Sequence, residues 1–175
     1  MKRQFYVILL IVCLIFLTNA CSTPSETSTN TTTSTSTTTS TTVDSFTEML
    51  IREGYTNPEI PRITCEDLKQ LMDSSNDFII IDTRDEATFN MGHLAGAINI
   101  PYATGSPEAF TVMDQQLAIL PDDKLKIFYC DCSLDQESAG MAKRIIDSGY
   151  KVENIKVLWK GIFRWQELGY PVTTQ

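Results

Sequence analysis

Lys126-Ile-Phe-Tyr-Cys-Asp-Cys-Ser-Leu-Asp-Gln-Glu-Ser-Ala139 is the stretch on which the fold turns. Ile127-Phe128-Tyr129 reads as a short apolar strand that runs into Cys130, and Cys132 follows after one residue. A short polar loop comes next, and a helix is expected to open near Ser138. A thiol between a strand end and a helix start faces free backbone N–H groups and the positive end of the helix dipole. That setting favours the thiolate, the reactive form of cysteine.

Outward from this unit, strands and helices keep alternating. Phe78-Ile-Ile-Ile-Asp82 is a continuous apolar run, as expected for a strand buried on both faces of a parallel sheet. Before it, Thr64 with Asp67 three residues on marks a helix start, and Leu68, Leu71 and Met72 give that helix an apolar face. Cys65, in its first turn, reads as a small residue at a helix start. Asp85 can cap a short helix ending before Gly92, and Ala97-Ile98-Asn99-Ile100 is the next strand, stopped by Pro101. Ser106-Pro107 opens a helix whose apolar positions are Phe110, Met113, Leu117 and Leu120. Beyond the cysteines, the helix from about Ser138 runs to Ser148 and is closed by Gly149. Ile155 to Leu158 is a last strand and Gly161 to Leu168 a last helix, with Phe163 and Trp165 expected to face inward. Phe46, Met49 and Leu50 suggest a lead-in helix, after which Pro58 and Pro61 interrupt the chain. The pattern is that of an α/β fold, one domain with a mainly parallel central sheet flanked by helices.

The 175 residues carry a net charge of −8. From Val43 onward there are 12 Lys+Arg against 21 Asp+Glu, which argues against nucleic acid or anionic lipid as a partner of the folded part. Of the five cysteines, Cys13 and Cys21 lie at the N-terminus, leaving Cys65, Cys130 and Cys132 for the domain. That is too few for a disulfide framework.

The N-terminal part has a different character. Lys2 and Arg3 precede an apolar run from Phe5 to Leu17, short for a membrane span and fitting the core of an export signal over residues 1–20. Leu17-Thr18-Asn19-Ala20-Cys21 resembles a bacterial-type lipobox. Ala20 fits, while Thr18 stands where Leu is usual. The resemblance implies lipidation at Cys21 and anchoring to the outer face of the cytoplasmic membrane, with an uncleaved anchor as the alternative. Ser22 to Thr42 holds 18 Ser or Thr among 21 residues and cannot bury a core. Residues 21–43 are therefore expected to form a disordered tether, residues 44–62 a lead-in, and 63–175 the domain. Asn30-Thr31-Thr32 is a glycosylation sequon of a kind that chance supplies in such a run.

Two longer motifs resemble a known family. Ile81-Asp-Thr-Arg-Asp-Glu86, continuing through Phe89-Asn-Met-Gly-His-Leu-Ala-Gly-Ala-Ile-Asn-Ile-Pro101, is similar to the first signature of rhodanese-like domains. Leu158-Trp-Lys-Gly-Ile-Phe-Arg-Trp165, ending in Gly169-Tyr-Pro-Val172, resembles the family's C-terminal signature. The likeness runs from about Ile63 to Val172. It implies a sulfurtransferase, in which one cysteine after the central strand takes sulfur from thiosulfate or a related donor, holds it as a persulfide and passes it to cyanide or a thiol. It implies no cofactor and no metal. The partners it implies are a small sulfur donor or a thiol acceptor, protein thiols included.

The cysteine loop departs from the family pattern, which has Gly and one or two Arg to receive an anionic donor. No Arg, Lys or Gly occurs from Asp131 to Ala139, and three acids, Asp131, Asp135 and Glu137, stand there instead. They are expected to raise the thiol pKa and repel thiosulfate or phosphate, which disfavours a phosphatase. Cys130 matches the family cysteine by following the strand, and Cys132 by its distance from Ser138. Three alternatives to a single active thiol stay open: a dithiol–disulfide pair, a non-catalytic module that binds a partner, or an inert loop. His93, the sole histidine, and Asp82 with Arg84 read as structural members of the first signature. Cys130 and Cys132 lack neighbouring ligands for a metal site.

Overall fold

The computed structural model describes residues 44–174. The expected export signal over 1–20, the expected lipidation at Cys21 and the expected tether over 21–43 lie outside the described residues. Helices α1 Ser45–Glu53, α2 Cys65–Ser74, α3 Glu86–Met91, α4 Pro107–Ala118, α5 Gln136–Asp147 and α6 Gly161–Glu167 surround strands β1 Arg62–Ile63, β2 Phe78–Asp82, β3 Ile98–Asn99, β4 Leu125–Tyr129 and β5 Ile155–Leu158. The strands form one sheet in the order β1-β5-β4-β2-β3, with every neighbouring pair parallel. The strand that carries the cysteines at its end is thus central, with β2 and β5 on either side.

The helix starts lie where the short polar residues stand. Thr64 accepts from the Asp67 N–H at 3.1 Å, Asp85 from Thr88 at 3.0 Å and Ser106 from Ala109 at 3.2 Å. Each satisfies one of the N–H groups that a helix start leaves free. The continuous apolar runs of β2 and β4 are explained by burial on both faces. Ile81, Phe128 and Val157 pack with Met113 and Leu117 of α4 and with Met141, Ala142 and Ile145 of α5. Ile80, Ile127, Tyr129 and Leu158 point the other way, onto Leu68 of α2 and Ile162 and Trp165 of α6.

Three expectations need correction. Phe163 is 57% exposed, whereas Ile162 and Trp165 are buried. In a helix one residue step turns the side chain by about 100°, so only the three-apart pair shares the inner face of α6. The helix after the cysteines starts at Gln136, two residues before Ser138. The Ala97–Ile100 run pairs as a strand only over Ile98–Asn99, because the Ala97 N–H is turned to the Leu94 carbonyl at 3.0 Å and Pro101 has no N–H to continue the ladder.

Asp82 and Arg84 brace the sheet end next to the cysteine loop. Arg84 Nε donates to both Asp82 carboxylate oxygens at 2.9 and 3.1 Å, and its terminal nitrogen donates to the Gly92 carbonyl at 2.7 Å. Asn99 donates to the carbonyls of Asp82 and Arg84 at 3.1 and 2.8 Å. Both charges are buried, and the pair ties β2 to the α3 turn. The Tyr129 hydroxyl accepts from the Leu94 N–H at 3.1 Å, which joins β4 to the same turn.

Candidate active site at the Cys130–Cys132 loop

Cys130 stands at the C-terminal end of β4, fully buried, while Cys132 is half-buried. The two are joined as a disulfide, with their Cα atoms 5.6 Å apart. The Cys132 N–H points to the Cys130 sulfur at 3.4 Å, and the Ser138 hydroxyl lies 3.4 Å from the same sulfur. Ser138 donates its one hydroxyl proton to the Asp135 carbonyl at 3.2 Å in the disulfide form, and rotation of that O–H toward the sulfur turns it to a Cys130 thiolate. When the disulfide is reduced, a Cys130 thiolate has the Cys132 amide, the Ser138 hydroxyl and the start of α5 as anion partners.

Neighbouring loops hold the strand end in place. Thr83 donates through both its N–H and its hydroxyl to the Tyr129 carbonyl, at 2.9 and 3.0 Å. From the other side Ile162 N–H donates to the Cys130 carbonyl at 3.0 Å. Gly161 makes this approach feasible: a Cβ there would sit 2.1 Å from the Cys130 oxygen, and its φ of +53° is in the left-handed region.

The acids do not act as a group. Asp131 and Glu137 are half-buried, and Glu137 has its pKa raised by burial first and then by Asp131, Asp85 and Asp82. Asp135, expected from sequence to add to this charge, is completely buried and faces Arg62 of β1, with the charged groups 3.8 Å apart. The Asp135 carboxylate oxygens and Arg62 Nε have no hydrogen-bond partner. Burial pushes the Asp135 carboxyl up to about 7, against the opposing pull of Arg62 and of the Lys160 N–H. Its backbone is left-handed at φ 57°, so it precedes α5 without capping it through its side chain.

Arg62 links this acid to the lead-in. Its two terminal nitrogens donate to the carbonyls of Asn57 and Ile60, both at 2.7 Å, and of Thr56 at 2.6 Å. Asn57 in turn donates to the Ala139 carbonyl at 3.2 Å. The lead-in loop is therefore fastened to the first turn of α5. Sequence reasoning missed both Arg62 and Asp135 as neighbours, because they are far apart in the chain.

The model of the rhodanese-like domain family matches residues 64–168. The chain belongs to the rhodanese-like family. It is 28% identical over 108 residues to the adenylyltransferase and sulfurtransferase UBA4 of Candida albicans, covering 61% of this chain and 23% of that one. The chain thus spans about a quarter of that relative. Among solved structures it resembles a rhodanese-related protein from Thermoplasma volcanium, with TM-score 0.53, 25% identity, and coverage of 66% of this chain and 99% of the other. It shares the fold of the thiosulfate sulfurtransferase from Pseudomonas aeruginosa, with TM-score 0.54, 18% identity, and coverage of 74% and 22%.

The remaining candidates of this rhodanese-like domain are structural. His93 is buried, its Nδ1 lies 2.9 Å from the Phe89 carbonyl, and its ring stacks on Phe89 with centroids 3.8 Å apart. Cys65 is buried with its sulfur 3.9 Å from the Gly161 carbonyl, and burial followed by Glu66 raises its thiol pKa to about 12. Both effects disfavour the thiolate, the nucleophilic form. No cluster of three metal-ligating side chains occurs among the described residues. A groove of about 880 Å³ opens against β3 between Phe89, Ile98 and Val112, and neither loop cysteine lines it.

Proposed function

We propose that this domain is a sulfurtransferase whose Cys130 thiolate takes sulfur as a persulfide and hands it to a thiol or to cyanide. The observation that carries the proposal is the placement of the Cys130 sulfur, at the end of the central strand and against the Cys132 N–H and Ser138 hydroxyl, each at 3.4 Å. Membership of the family, and a curated relative named as a sulfurtransferase, support the same reading. In the loading step the thiolate attacks the outer sulfur of an organic persulfide. The donor's sulfur–sulfur bond breaks, a persulfide forms on Cys130, and the donor leaves as a thiolate that takes up a proton. The acids at the mouth favour a neutral or cationic donor over thiosulfate. The signal-like apolar run of residues 5–17 and the lipobox-like Cys21 support a location on the outer face of the cytoplasmic membrane as part of this proposal.

A second reading, thiol–disulfide exchange without sulfur transfer, is favoured by the bond between Cys130 and Cys132. Thiocyanate formation from cysteamine persulfide and cyanide, measured on the reduced chain, separates the two. Cys130→Ser is expected to lower it to the rate of the donor with cyanide alone, and Cys132→Ser to retain it. Equal loss in both variants would favour the exchange reading. No thiocyanate from Cys132→Ser above the rate of the donor with cyanide alone would overturn the sulfurtransferase proposal.

A further inference from the structure

A persulfide on Cys130 has an acceptor built into its own loop. Cys132 is near enough to form a disulfide with Cys130, and its N–H already points at the Cys130 sulfur. The two residues differ in exposure: Cys130 is fully buried, and Cys132 is half-buried. An outside acceptor must diffuse to the loaded sulfur, whereas Cys132 is held beside it. Tethered groups of this kind react with effective concentrations far above those of a dissolved thiol.

We propose that Cys132 is a resolving thiol and that the loop is a persulfide reductase that releases sulfide. This rests on the persulfide reading above and gives the loaded sulfur a fate. Cys132 thiolate attacks the inner sulfur, Cys130 Sγ. The persulfide bond breaks, its electron pair leaves with the outer sulfur as hydrosulfide, and the Cys130–Cys132 disulfide forms. The two loop thiols are oxidised by two electrons, and the sulfane sulfur is reduced to sulfide. Reduced loop plus one organic persulfide gives oxidised loop, one thiol and one hydrogen sulfide. An external dithiol closes the cycle. It attacks the sulfur of Cys132, the more exposed residue, and Cys130 leaves as the thiolate that the Cys132 N–H and Ser138 receive. A second attack within the dithiol then frees Cys132. The required co-reactants are thus an organic persulfide and a dithiol.

The test is a single turnover of the full-length chain, reduced and freed of reductant, with cysteamine persulfide. Sulfide release and intact mass are followed together. The unsubstituted chain is expected to release one sulfide per loaded sulfur and to end with the Cys130–Cys132 disulfide. Cys132→Ser is expected to keep one extra sulfur on Cys130 and to release sulfide at least about tenfold more slowly. If the unsubstituted chain keeps its persulfide without releasing sulfide while Cys132→Ser loads normally, the resolving role is overturned and the sulfurtransferase stands. If folded Cys132→Ser, checked by circular dichroism, gains no sulfur, the persulfide reading itself fails and takes this proposal with it.

Discussion

Arg62 and Asp135 face each other at 3.8 Å with both side chains completely out of solvent, across 73 residues of chain. Burial raises the Asp135 carboxyl from an ordinary value of 3.8 to about 7. Between those values the folded chain holds a proton that the unfolded chain has released. This contribution to stability therefore falls as pH rises from about 4 to about 7, and is flat above that. Asp135→Asn is expected to flatten this slope. Denaturant unfolding from pH 4.5 to 7.5 measures it, and an unchanged slope in the variant would contradict the assignment. The lowered carboxyls of Asp85 and Asp114, held down by Thr88 and Arg144, act the opposite way at more acidic pH.

Gly161→Ala is expected to damage both the fold and the site. The new Cβ would meet the Cys130 oxygen at 2.1 Å, with a left-handed backbone in addition. The loss is expected to exceed about 1 kcal/mol, the scale of unfavourable Gly-to-Ala changes. Thermal unfolding checks the stability, and sulfur uptake by the folded fraction is expected to drop because the Cys130 carbonyl is displaced. Gly105→Ala, where nothing lies within 4 Å of the new Cβ, provides the comparison for left-handed strain alone.

Arg84→Ala leaves Asp82 as a buried charge without its partner. Breaking a buried pair in this way costs about 3–5 kcal/mol. The expected result is a large drop in unfolding midpoint, with sulfur uptake per folded molecule retained at low temperature. Loss of uptake in a chain shown to be folded would instead make Arg84 part of the donor site.

Asp131 and Glu137 set the charge at the mouth of the loop. Cysteamine persulfide is expected to load Cys130 faster than thiosulfate, with the difference shrinking as salt is added. Replacing both acids, as Asp131→Asn with Glu137→Gln, is expected to raise the thiosulfate rate. Stopped-flow loading at several ionic strengths measures this, and equal rates for the two donors at low salt would contradict it.

The strand–helix alternation was legible because local physics and tertiary structure agree. The Phe78–Asp82 and Ile127–Tyr129 runs are apolar on both sides because both sides are covered, and Thr64, Asp85 and Ser106 cap helices where their side chains allow. The cysteine loop was legible as a position but not as an electrostatic site. Asp135 looks like one of three repelling acids because its partner, Arg62, comes from another strand. The start of α5 was misplaced because Ser138 is a good capping residue, whereas Asp135 enters the helix through a left-handed turn. Lys126 gave no hint of its burial; its ammonium is satisfied by the Lys124 carbonyl at 2.9 Å and lies 4.9 Å from the centre of the Tyr150 ring.

Peptide mapping by mass spectrometry of the reduced Cys132→Ser chain, after exposure to cysteamine persulfide, tests most directly whether Cys130 carries sulfur. The expected result is one added sulfur atom located on Cys130. A folded chain with no added sulfur on Cys130 would contradict the sulfurtransferase assignment.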